Sequence, residues 1–68
     1  MKKYVVYLGM DSGGNNVWAA GWDSDPGRTL VLGSALVFEN KQSAEHRLSF
    51  IKEHNKHSRQ IDWCVREL

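Results

Sequence analysis

At Asn40 the apolar residues change their spacing, and that change limits what the chain can fold into. Before it, β-branched and aromatic runs alternate with turn residues. Tyr4 to Met10 (YVVYLGM) stops at Asp11-Ser12-Gly13-Gly14-Asn15-Asn16, whose residue types tolerate positive φ and side-chain turns. Val17 to Asp23 (VWAAGWD) resumes the pattern and breaks at Ser24-Asp25-Pro26-Gly27-Arg28, where Pro26 presets φ for a turn. Thr29 to Phe38 (TLVLGSALVF) is almost wholly apolar and reads as a strand near the middle of a sheet, with Gly33-Ser34 placed to kink it.

After Asn40, a favoured N-cap, Ala44, Leu48 and Ile51 recur at helical spacing with charges between them. This predicts a helix over Lys41 to Asn55, closed by His54-Asn55-Lys56-His57-Ser58, with cations suited to the negative end of the helix dipole. Gln60 to Arg66 then alternates, with Ile61, Trp63 and Val65 on one side and Asp62, Cys64 and Arg66 on the other. The expectation is a single α+β domain over residues 1–68: a four-stranded sheet in the order β-β-β-α-β with one helix on one face. A right-handed crossover would bring the fourth strand back parallel to the first and third.

A domain of 68 residues buries only about 60% of the surface its unfolded chain exposes. A core of that size seldom supplies more than roughly 3 to 5 kcal/mol. Cys64 is the only cysteine, so no disulfide forms within the monomer and a reducing compartment is expected. Met1-Lys2-Lys3 leads into a short apolar run without a small-residue cleavage site, which reads as cytoplasmic. No run approaches the ~20 apolar residues of a membrane span. Nine Lys and Arg against eight Asp and Glu leave a net charge of +1, without the basic footprint of a nucleic-acid binder.

Alternation assigns the strand side chains to faces. A hairpin symmetric about the Asp11–Asn16 turn sets Met10 opposite Val17, Leu8 opposite Ala19 and Val6 opposite Gly21 on a small aliphatic face, suited to the helix. The other face holds Tyr7, Trp18, Trp22, Leu30, Leu32 and Leu36, and a single helix leaves it uncovered. Large exposed apolar patches mark interfaces. These six residues are the candidate interface, for a homodimer or a different protein; stacking of nucleic-acid bases on Tyr7, Trp18 and Trp22 is the disfavoured alternative.

Chemistry-bearing residues are few. His46, His54 and His57 read as solvated surface groups, short of the ligand number a metal site needs. Cys64 has no base near it in sequence and reads as a half-buried apolar residue. Phe50 lies off the Ala44, Leu48, Ile51 stripe, beside Arg47 and His54, as a flank contact or a second exposed anchor. No catalytic residue, cofactor or metal is expected.

The stretch YVVYLGMDSGGNNVWAAGWDSDPGRTLVLGSA resembles the first hairpin and third strand of the actin-like sugar-kinase superfamily, and also the opening of ribonuclease H-like folds. That resemblance implies Asp11, Gly13 and Gly14 at a phosphate and a metal, and hence a divergent phosphate or metal binder at Asp11. It covers about half of the chain. Asn15 stands where such turns carry a hydroxyl or basic residue, and 68 residues lack the second lobe and the further carboxylates. ALVFENKQSAEHRLSFIKEHN, followed by a short strand, is similar in cadence to small proteins of bacteriophages and mobile elements. This implies a role such as binding and inhibiting a host protein. Joined to the uncovered aromatic sheet face, the expectation is a non-enzymatic interaction module, an accessory or inhibitor protein that contacts its partner through that face.

Overall fold

The computed structural model describes residues 2–21, 27–57 and 59–68. Strand β1 (Tyr4–Met10) and strand β2 (Asn16–Ala19) form the first hairpin; strand β3 (Arg28–Thr29), a 3-10 turn (Leu32–Ser34), helix α1 (Lys41–His54) and strand β4 (Trp63–Glu67) follow. The sheet runs β3-β2-β1-β4, and every neighbouring pair is antiparallel. The α+β architecture with one helix on a four-stranded sheet is therefore the one the sequence predicts.

The turn between β1 and β2 is built by Asp11. Its Oδ1 accepts from the N–H groups of Gly13 and Asn15, both at 2.9 Å, and its own N–H donates to the Asn15 carbonyl at 2.9 Å. Tyr7 pairs with Trp18 and Met10 with Asn16, so β1 carries one extra residue between those pairs. Gly9, at φ +78°, takes up that extra residue as a bulge. The hairpin register is thus two residues away from the symmetric one expected at Tyr7–Trp18, and one residue away at Met10–Asn16. At Tyr7–Trp18 parity is preserved, so Val5 to Leu8 and Val17 to Ala19 keep the faces assigned to them, whereas Met10, beyond the bulge and opposite Asn16, changes to the Tyr7 side.

On the first face Val6, Leu8, Val17 and Ala19 pack with Ala44 and Trp63, and Tyr4, Phe38, Leu48, Ile51 and Val65 close around them. Ala44 is fully buried, which lets α1 lie close to the sheet. The helix starts where expected: Asn40 Oδ1 accepts from the Ser43 N–H at 2.7 Å. At its other end Asn55 Nδ2 donates to the Ile51 carbonyl and Gln60 Nε2 to the Lys52 carbonyl, satisfying acceptors that a helix terminus leaves open.

Two expectations are corrected. Thr29 to Phe38 is not a long central strand. Only Arg28–Thr29 pairs with β2; the chain then turns through Leu32–Ser34 and crosses the second sheet face. At its far end Tyr4 and Phe38 exchange backbone hydrogen bonds of 2.9 and 2.8 Å. This delivers the chain to the first-residue end of β1, where α1 begins. Fourteen helical residues span about 21 Å, close to the ~23 Å of a seven-residue strand. Strand β4 therefore starts at the far end of β1, with Trp63 opposite Leu8, and runs back to Glu67 opposite Tyr4. It is antiparallel to β1 for that reason, not parallel as expected.

Candidate functional site

The second sheet face, expected to be open, is largely filled. Val5, Tyr7, Trp18 and Ala35 form a second core cluster, with Cys64 packed against it. Tyr7 is 5% exposed and Trp18 8%. The Tyr7 hydroxyl donates to Asn16 Oδ1 at 3.0 Å, and the Arg66 guanidinium lies 3.9 Å from the Tyr7 ring centroid. The cover is the apolar run that sequence reasoning had placed in the sheet itself.

That run is anchored at several points. Thr29 Oγ1 accepts from the Val31 N–H at 3.0 Å, and the N–H groups of Ser34 and Ala35 donate to the carbonyls of Val31 and Leu32. Ala35 enters the second core, and the Leu36 N–H donates to the Ala19 carbonyl at 2.9 Å. Leu36 lies against Gly21 so closely that a Cβ there would come within 2.8 Å of Leu36 Cδ1. With its inner side held in this way, the segment turns Leu30, Val31, Leu32 and Val37 outward, at 54, 60, 42 and 45% exposure. Leu30 also lines a groove of about 420 Å³ with Met10, Asp11, Val17 and Arg28.

Of the six candidate interface residues, Tyr7 and Trp18 are thus core, Leu36 is half-buried, and Leu30 and Leu32 are exposed. Trp22 lies outside the described residues. Val31 and Val37 join the surface, although alternation along a continuous strand from Thr29 to Phe38 sets them on the face opposite to Leu30, Leu32 and Leu36. Gly33-Ser34, at the centre of the run, is the one sequence signal for the turn that reorients them.

Comparison with family models, with curated proteins and with solved structures finds no match.

The Asp11 turn has a structural use for its carboxylate. The Asn15 N–H first, then the Asn15 side chain and the N–H groups of Gly13 and Gly14, hold the carboxyl below its ordinary value of 3.8 against a desolvation cost. Oδ1 takes two backbone donors, while Oδ2 has Asn15 Nδ2 at 3.5 Å. Among the described residues no group of three or more His, Cys, Asp or Glu side chains is placed to hold a metal ion.

Phe50, His54 and Arg47 form a small stack on the outer flank of α1. The Phe50 and His54 ring centroids are 4.3 Å apart, and the Arg47 guanidinium carbon is 5.4 Å from the Phe50 centroid. Arg28, Arg47, Phe50 and His54 share a cavity of about 270 Å³. The Nε atoms of both arginines are buried without an acceptor among the described residues. His46 and His57 are exposed and Cys64 is half-buried.

Proposed function

We propose that the chain is a non-enzymatic protein-interaction module whose contact surface is the outer side of the Leu30–Val37 segment. The observation that carries this reading is the exposure of Leu30, Val31, Leu32 and Val37 on one short, anchored piece of backbone. Scattered exposed apolar residues are ordinary; several together on a small domain mark a place where another surface sits. Because the segment's inner side is fixed to the sheet, docking would cost little ordering entropy. Within this reading the chain is an accessory or inhibitory protein of a bacteriophage or mobile element that engages a host protein. We place it in the cytoplasm, where the unpaired Cys64 would remain reduced.

The test is affinity capture from a bacterial lysate with the parent chain, Leu32→Glu and Leu68→Glu, the last at an exposed apolar position outside the proposed surface. The expected result is a protein retained by the parent and by Leu68→Glu but lost with Leu32→Glu, all three chains having the same circular dichroism. Equal retention by all three would remove this surface from the interaction.

A further inference from the structure

We propose that β4 is an assembly edge, and that a second copy of this chain pairs with it antiparallel, Val65 against Val65, to make one continuous sheet across a twofold axis. The sheet has two edges, β3 and β4. Strand β3 has two residues, too few for a ladder; β4 has five and no proline. Edge strands of this kind are templates for pairing with another chain.

Backbone geometry selects the register. The Leu68 N–H donates to the Lys3 carbonyl at 2.7 Å, and Tyr4 turns both its N–H and its C=O away from β4, towards Phe38. Tyr4 and Glu67 are opposite one another, so theirs is a non-hydrogen-bonded pair. Alternation then directs the backbone groups of Arg66 and Cys64 at β1 and those of Val65 and Glu67 outward, away from the sheet. Trp63 also points outward, and its N–H is taken by the Gln60 carbonyl at 3.1 Å. Among the described residues, no backbone partner meets the outward N–H groups of Val65 and Glu67.

In a twofold antiparallel pair these outward residues must face each other. Centring on Val65 sets Val65 on Val65, Trp63 beside Glu67 and Cys64 beside Arg66. The Val65 N–H then meets the other copy's Val65 carbonyl, and the Glu67 N–H meets the free Trp63 carbonyl. Centring on Glu67 would oppose two carboxylates. Centring on Trp63 would set Val65 against Ile61, where the chain is already in a turn. Centring on Arg66 would oppose two guanidinium groups, and centring on Cys64 would set Glu67 against Ile61 in the turn and leave its N–H outside the ladder. The Val65-centred register is therefore the one that pairs both outward N–H groups without like-charge contact.

The two charges that could guard the edge are engaged on their own chain. Arg66 lies over Tyr7, and Glu67 Oε1 is 3.8 Å from Lys2 Nζ. A net charge of +1 adds little repulsion between copies. The contact is small, below the ~1,200 Å² of standard interfaces, so the dimer is expected to dissociate on dilution.

The experiment uses the full chain, made by chemical synthesis with and without N-methylation at Val65, which removes only an outward N–H. In sedimentation equilibrium the unmodified chain is expected to pass from monomer to dimer as concentration rises, and the methylated chain to stay monomeric. Amide exchange on the unmodified chain decides the matter if methylation disturbs the fold. The Val65 and Glu67 amides should exchange freely when dilute and become protected in proportion to the dimer fraction, while those of Cys64 and Arg66 are protected throughout. A chain monomeric at high micromolar concentration, or a dimer whose Val65 and Glu67 amides stay unprotected, overturns the proposal. Leu32→Glu should leave this dimer intact, so its failure is distinct from failure of the Leu30–Val37 surface.

Discussion

Tyr7 and Trp18 stand opposite each other across β1 and β2, their ring centroids 5.2 Å apart and their planes tilted by 57°. A tilted contact at this distance sets the edge of one ring towards the face of the other, a favoured arrangement for aromatic pairs. The pair forms the floor on which Ala35 closes, so the two aromatics serve the fold before they can serve a partner.

Trp18→Ala is expected to destabilise by about 3 to 5 kcal/mol through lost burial and a residual cavity. That is comparable to the whole margin of a domain this size, so the variant should be largely unfolded by circular dichroism at room temperature. Tyr7→Phe, which removes only the bond to Asn16, should cost about 0.5 to 1.5 kcal/mol in urea titration. A native-like Trp18→Ala would show that the second face is not packed.

Two glycines should respond in opposite ways. Gly9→Ala must hold a Cβ at φ +78°, where the nearest atoms are at ordinary contact distance of 3.8 Å. The cost is therefore in the backbone, about 1 to 2 kcal/mol. A Cβ on Gly33 meets nothing within 4 Å, and Gly33 has no positive φ. Gly33→Ala should be neutral or stabilise by up to about 1 kcal/mol through the unfolded chain. Thermal melts of the two variants beside the parent test the contrast.

The Asp11 carboxyl titrates below its ordinary value of 3.8 because the Asn15 N–H, above all, favours the carboxylate. Folding therefore favours the deprotonated form, and the contribution is fully present above the unfolded-state value. It is lost as pH falls through the lower folded-state value. The stability difference between the parent and Asp11→Asn, followed by urea titration, should be constant near neutrality and shrink below about pH 4. A difference that grows on acidification would contradict the hydrogen-bonded turn.

Asn40→Ala removes the acceptor for the Ser43 N–H and should cost about 1 kcal/mol. Asn40→Asp keeps an acceptor and places a negative charge at the positive end of the helix dipole, so it should match or exceed the parent. Urea midpoints of the three chains decide this; equal loss in both variants would mean that the cap is not what Asn40 contributes.

Local residue chemistry determined a good deal of this fold by itself. The parity of Val6 and Leu8 against Val5 and Tyr7 follows from strand geometry alone, and so survives the displaced hairpin register. The stripe Ala44, Leu48, Ile51 and the cap at Asn40 were legible for the same reason, since each depends on neighbours within a turn or two of helix. Leu30, Leu32 and Leu36 could be recognised as surface candidates, but their sorting into exposed and half-buried could not. What tertiary structure decided was where the run from Thr29 to Phe38 goes. Both of its parities are apolar, so neither pattern nor propensity separates a central strand from a segment laid across a sheet. The second face resolves the choice: Val5, Tyr7 and Trp18 present an apolar surface that the helix does not reach, and burying it under Ala35 removes that surface from water. Once the run crosses that face and ends at Tyr4, the matched lengths of α1 and β1 carry the chain to the far end of the sheet. The direction of β4, and with it the outward Val65 and Glu67 amides, follows from that path and not from any property of Trp63–Glu67.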